Sequence, residues 1–166
     1  MTNAHPLSEH ALKCEVAGAA LCSSGTLRLR VTGWSMLPTI WPGDTLVIER
    51  ASRDDIFDGD IVMFSNGRRF VAHRVVTKSS ASGDSMFQTQ GDAVPHPDSP
   101  VARGELLGKV SFILRNGIPI KPNQKLGFSE RALAAVFRRS EIAARVVAGV
   151  HGMRRNSRVQ PPRLKL

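Results

Sequence analysis

Two Asn-Gly pairs constrain this chain more than any other feature. Asn66-Gly67 and Asn116-Gly117 each stand between two apolar runs. Such a pair readily takes the positive backbone angles of the two-residue turns that join antiparallel strands. Asp60-Ile61-Val62-Met63-Phe64 leads into the first turn, and a strand over about 69–77 returns from it. Glu105 to Arg115 leads into the second, with Gly108 as a candidate bulge, and Ile118-Pro119-Ile120 returns. Further strand signals lie at 27–32, 45–49 and 86–89. Ser79 to Asp84 reads as a polar loop, and 93–100 as an irregular, proline-rich segment. Short strands separated by turn signals predict a mainly β domain, an open barrel or folded sheet.

The two ends differ from this pattern. Residues 7–22 predict a short helix, capped by Ser8 and stopped by Ser23-Ser24-Gly25, with Gly18 as a weak point. Lys121 to Gly127 reads as a linker. A basic helix is predicted from Ser129 to about His151. In it Arg131, Arg138 and Arg145 recur every two turns and share a face. Leu133, Val136, Phe137, Ala144 and Val147 are expected on the other face, with Ile142 interrupting the separation. A basic, proline-containing and disordered end is expected after Gly152. The expected division is a helical segment 1–26, a core 27–122, and a basic helix with tail 123–166.

The 166 residues suit one domain with an appendage, and 42% hydrophobic content is enough for a core. The net charge of +9 is uneven: residues 128–166 hold nine Lys/Arg against two Glu. The tail is therefore the basic part, and it has two readings. Its apolar face packs on the core, or residues 129–158 lie on an anionic membrane surface. Aromatics are sparse and Tyr is absent, which argues against a stacking platform for nucleic acid. Cys14 and Cys22 fall in one predicted helix about 12 Å apart, too far for a disulfide, so reduced thiols are expected. With no Cys/His cluster, no metal or cofactor is expected. Neither a signal peptide nor an apolar run of membrane-spanning length is present, so a cytoplasmic protein is expected, soluble or held peripherally on a membrane.

Ser35 lies in Val31-Thr32-Gly33-Trp34-Ser35-Met36-Leu37-Pro38-Thr39-Ile40-Trp41-Pro42-Gly43-Asp44, a turn between two strand signals. Taken singly, it reads as an ordinary turn serine. His73 shares a strand face with Val71 and Val75 and reads singly as a core or surface histidine. Asp44, Asp60 and Asp92 follow glycines and read singly as turn formers. Together they make chemical sense. A serine needs a base to become nucleophilic at neutral pH. A histidine can take its proton and return it to a leaving amine. A carboxylate can fix the histidine's tautomer. Asp92 and Asp98 are both candidates for that carboxylate.

Gly33-Trp34-Ser35-Met36-Leu37-Pro38-Thr39, Gly43-Asp44, Gly59-Asp60-Ile61-Val62-Met63-Phe64, His73-Arg74-Val75-Val76 and Gly91-Asp92 resemble, in order, the boxes of type I signal peptidases. Those enzymes share a serine-protease superfamily with the self-cleaving LexA-type repressors. The resemblance covers roughly residues 27–120 and implies a core of curved antiparallel sheets. Where most bacterial members have lysine before arginine, this chain has His73 before Arg74. That is similar to the endoplasmic-reticulum, archaeal and sporulation branch. The resemblance implies Ser35 as nucleophile, His73 as base, and Asp92 as orienting carboxylate, with Asp98 as the alternative. Gly33 stands where many relatives carry an oxyanion-donating serine, so the oxyanion would rest on backbone N–H groups, that of Ser35 included, with Met36 as a supporting residue. The implied substrate is an extended peptide or precursor protein with small residues before the cut. Two other functions fit the same fold. One is a LexA-type self-cleaving regulator cut near Ala17-Gly18, for which 34 residues before Ser35 are too few to hold a DNA-binding domain. The other is a non-catalytic binding module.

Overall fold

The hairpin signals become strands where the turns demand them. The structure is a computed structural model and describes residues 9–66, 69–81 and 84–139. Its strands are β1 (Thr26–Arg30), β2 (Thr45–Glu49), β3 (Ile61–Ser65), β4 (Phe70–Ala81), β5 (Asp84–Gln90), β6 (Val101–Ala102), β7 (Leu106–Arg115) and β8 (Ile118–Ile120). They form one curled sheet in the order β1-β2-β7-β3-β4-β5-β6, with β8 beside β7. Every pairing is antiparallel. Asn116 and Gly117 both take positive φ, 54° and 83°, so the β7–β8 turn has the geometry that selects this dipeptide. The Asn66 N–H donates to the Arg69 carbonyl at the base of the β3–β4 hairpin, whose tip at 67–68 lies outside the described residues.

Two expectations about strands change. The stretch 79–84 is not a plain loop: Ser79 pairs with Met86 and Ala81 with Asp84, so β4 and β5 run on as one long hairpin. A main-chain ladder needs no apolar side chains, so no hydrophobic period marked it. The two-residue β6 is also new, pairing with Met86 and Phe87. Gly108 does lie beside an irregularity, where the β3–β7 register shifts between Met63 and Phe64. A methyl group there would collide with the Glu49 carbonyl on β2, so the close approach of three strands requires glycine.

Strand β3 sits between two apolar clusters. Ile61 and Met63 join Leu46, Ile48, Val110 and Ile113 on one side, while Val62 and Phe64 join Ile56, Val75, Phe87 and Val101 on the other. Burial of both faces explains its unbroken apolar run. Each fully buried side chain of this size contributes about 1.5–3 kcal/mol.

Helix α1 (Glu9–Ser24) closes the first cluster through Leu21. Gly25 ends it as expected: at φ 71° its N–H reaches the Leu21 carbonyl, 3.1 Å away. Ser8, the expected cap, lies outside the described residues. Cys14 and Cys22 form no disulfide; the Cys14 thiol donates to the Ser65 hydroxyl at 3.4 Å.

Helix α2 (Phe128–Arg139) docks differently from the sequence expectation. Ala134 and Phe137 are buried, whereas Leu133 and Val136 are 40% and 57% exposed. Phe137 packs on Leu37 and Ala93, flanked by Trp34 and Trp41. The linker before α2 fixes this orientation. Arg74 donates to the carbonyls of Asn123 and Gln124, and the Gln124 amide donates to Asp60. Residues 140–166, with Ile142, Ala144, Arg145 and Val147, lie outside the described residues. Among the described residues no helix is long and apolar enough to cross a membrane.

Candidate active site

Ser35 opens the turn that follows the extended run from β1. Two hydrogen bonds define that turn: Leu37 N–H to the Trp34 carbonyl and Ile40 N–H to the Met36 carbonyl. The Leu37–Pro38 peptide is cis. Met36 is 4% exposed in the first core cluster, so it anchors the turn while its buried side chain also lines the cleft. Gly33 is exposed, with nothing near the position a side chain would take. Among the described residues no acceptor takes the Ser35 N–H.

His73 projects from β4, where it pairs with Val62 of β3. It is 6% exposed, and Phe64 meets its ring edge-on at 6.2 Å. Its Nε2 lies 2.9 Å from Ser35 Oγ and its Nδ1 lies 2.6 Å from Asp98 Oδ2. A carboxylate at Nδ1 holds the proton there and leaves Nε2 to accept from the serine.

Asp98 is itself held in place. Its N–H donates to the Thr89 carbonyl at 2.8 Å, and the fully buried Thr89 hydroxyl donates to its Oδ2 at 2.8 Å. The Gln88 amide donates to its main-chain carbonyl. The proline-rich segment is thus pinned along β5, and this delivers Asp98 to His73. Thr89 and Gln88 were not singled out in the sequence. Nothing in a Gln-Thr pair on a strand signals such a role.

Asp92, the first candidate for the orienting carboxylate, does not touch His73. Arg74 grips it with two parallel bonds, Nε to Oδ1 and Nη2 to Oδ2, both 2.8 Å. The Thr39 hydroxyl donates to the same Oδ2 at 2.5 Å. Strand alternation is the reason: adjacent residues His73 and Arg74 face opposite sides of β4, so the carboxylate that meets Arg74 is not the one that meets the imidazole. Asp92 instead ties the Ser35 turn to β4. Next to it the Ala93 N–H donates to the Ser35 carbonyl at 2.9 Å. Gly91 makes this approach feasible, because a methyl group there would lie 2.6 Å from the Ser35 carbonyl oxygen and 3.0 Å from His73 Nε2.

The other Gly-Asp pairs are built alike. Gly43 and Gly59 take φ of 91° and 92°. Asp44, fully buried, accepts the Trp41 N–H and a fork from Arg115. Asp60 accepts the Phe57 N–H and pairs with Lys109 at 2.7 Å. Burial pushes the Asp60 carboxyl up. The Lys109 ammonium, the Phe57 N–H and the Gln124 amide outweigh that and hold it below the ordinary aspartate value. The cations Arg74, Lys109 and Arg115 carry no sequence motif that announces these pairs.

Ser35 and His73 open onto a cleft of about 930 Å³. One wall is the stretch 29–36 and the other is the β3–β4 hairpin over 63–66 and 69–73, with 98–101 closing one side. Leu29, Val31, Met63, Phe70 and Ala72 make it apolar near the serine. Among the described residues no three His, Cys, Asp or Glu side chains converge as a metal site would need.

A curled antiparallel sheet carrying a Ser–His–Asp relay at the wall of a groove has the layout of a serine peptidase. Residues 8–87, just under half of the chain, match the model of the Peptidase S24-like family. The matched stretch contains Ser35 and His73 and stops before Asp92 and Asp98. The match supports the superfamily of LexA-type repressors and signal peptidases, and a serine peptidase in general. No curated protein matches the chain.

Proposed function

We propose that this protein is a serine endopeptidase of the signal peptidase type. In this reading Ser35 is the nucleophile, His73 the general base and Asp98 the carboxylate that orients it. The observation that carries it is the continuous contact Asp98–His73–Ser35, 2.6 Å and 2.9 Å, at the wall of the cleft. An extended peptide lies along the free edge of β1 and the run beyond it. Ser35 Oγ attacks the scissile carbonyl carbon while its proton passes to His73 Nε2. The oxyanion is met by backbone N–H groups, that of Ser35 included. Collapse of the intermediate breaks the C–N bond, and His73 gives its proton to the leaving amine. Water, deprotonated by His73, then attacks the acyl-enzyme and frees the acid. Asp98 keeps the imidazole in one tautomer and offsets its charge throughout.

The test is cleavage of an internally quenched peptide with small residues before the cut. Wild type is expected to cleave it and Ser35→Ala to lose cleavage with an unchanged melting temperature. His73→Ala should match that loss, and the double variant should add little, since the two residues act as a unit. Substantial turnover by Ser35→Ala overturns the assignment.

The family match also favours a LexA-type self-cleaving regulator as a second reading. Ala17 is 5% exposed within α1, so a cut at Ala17-Gly18 requires that helix to unwind. A time course of purified protein that yields a fragment ending at Ala17 would favour this reading.

The workplace we propose is an anionic membrane surface, reached through residues 129–158. Leu133 and Val136 are exposed on α2, which also carries Arg131, Arg138 and Arg139. Such a helix can lie in a bilayer interface.

A further inference from the structure

Helix α2 touches the nucleophile turn from behind. Phe137, 3% exposed, packs on Leu37, two residues after Ser35, and on Ala93. Arg138 Nε donates to the main-chain carbonyl of Asp92 at 2.9 Å. The Asp92 carbonyl and the Ala93 N–H belong to one peptide group, and that N–H donates to the Ser35 carbonyl, two residues before Leu37. The neighbouring bonds, Thr39 to Asp92 and Arg74 to Asp92, complete a bracket around the turn. The helix is not free to drift, because Arg74 and Asp60 hold the linker before it.

We infer that α2 is a positioning element for the nucleophile, acting through Phe137 and Arg138 on the Leu37–Ala93 contact and the Asp92 carbonyl. This inference rests on the assignment of Ser35 as nucleophile. It adds that the catalytic unit extends beyond the sheet to a helix that the sequence alone marks as an appendage. Neither residue touches the cleft, since both lie behind the turn. Their role is to hold Ser35 Oγ at its 2.9 Å contact with His73. Loss of either loosens the turn, and of the cleft wall only Trp34 packs on the Phe137 cluster among the described residues. The rate of the chemical step falls while affinity stays, because small displacements of a reacting atom are costly.

The experiment uses the full chain with Arg138→Gln, Arg138→Lys and Phe137→Leu. Ala135→Ser, at an exposed position on the same helix, is the control. Phe137→Leu is preferred to Phe137→Ala because removing the whole ring opens a core cavity. Two readouts are taken: kcat and KM on the quenched peptide, and the rate of Ser35 phosphonylation by a fluorophosphonate. Arg138→Gln and Phe137→Leu are expected to lower kcat about tenfold with KM within about twofold of wild type. Phosphonylation should slow in parallel. Arg138→Lys should recover part of the loss, because it restores the reach and charge that the shorter, neutral Gln amide lacks, and Ala135→Ser should equal wild type. If the variants only melt earlier while kcat and phosphonylation hold, α2 is a structural support and the inference falls. A rise in KM at constant kcat also overturns it. Wild type inert in both assays would overturn the peptidase assignment itself, an outcome distinct from active wild type with equally active variants.

Discussion

At the residue scale, Asp92 and Asp98 stand six positions apart and do different work. Asp98→Asn leaves the pinning bonds from Thr89 and Gln88 nearly intact but presents an amide to His73. A fall in kcat of about 10⁴ is expected, by analogy with triads whose histidine then takes the wrong tautomer. Its melting temperature should stay close to wild type. Asp92→Asn removes the charge that Arg74 grips, and Arg74 and Asp92 side chains are only 12% and 3% exposed. Breaking a buried pair from one side costs about 3–5 kcal/mol, so this variant should show its main loss in urea denaturation. Kinetics and denaturation on both variants check the contrast. That Ser35 and His73 lie together, 2.9 Å apart, could be anticipated only from the ordered motif, since singly each reads as an ordinary residue. The choice between the two aspartates was not legible in it. It depends on which face of β4 each carboxylate meets, and the 91–98 segment has no period from which to read that.

At the element scale, the Gly-Asp corners are clamps between turns and strands. Asp60 gives the clearest test. Its native carboxyl is held below the ordinary value, so the unfolded chain binds that proton more tightly. The stabilisation is fully present above the unfolded-state value, about 3.9. It is lost as pH falls from there through the lower folded value. Asp60→Asn should therefore be less stable than wild type at pH 7, with a flatter decline below about pH 4. Urea midpoints across pH 3–7 measure it. Gly91→Ala should impair activity, since a methyl group would press on the Ser35 carbonyl and on His73. Its kcat on the quenched peptide checks this. The strands themselves were largely legible, as Asn116-Gly117 and the alternation Leu27-Arg28-Leu29-Arg30 in β1 show. The clamps were not, because Asp44 and Arg115 are 71 positions apart and only the closed sheet brings them together. The burial face of α2 was misread for the same reason. Leu133 and Val136 fit an apolar stripe as well as Phe137 does, and the pinned linker decides among them.

At the scale of the whole molecule, a small curled sheet is flanked by one helix before it and one behind the Ser35 turn. If the basic end serves a membrane, flotation should show full-length protein rising with anionic vesicles and staying down with neutral ones. Binding should weaken with salt, as each basic residue near such a surface contributes about 1 kcal/mol. Failure to float with anionic vesicles at low salt would remove the membrane from the proposal. The order of the relay along the chain has a consequence for biosynthesis. A ribosome releases Ser35 first, His73 next, Asp98 later, and Phe137 and Arg138 well after that. A nascent chain stalled between residues 73 and 98 carries Ser35 and His73 without the carboxylate proposed to orient them. On the proposed assignment the hydrolytic hazard is thereby deferred until five of the eight strands have been made, with β7, which joins β2 to β3, still to come.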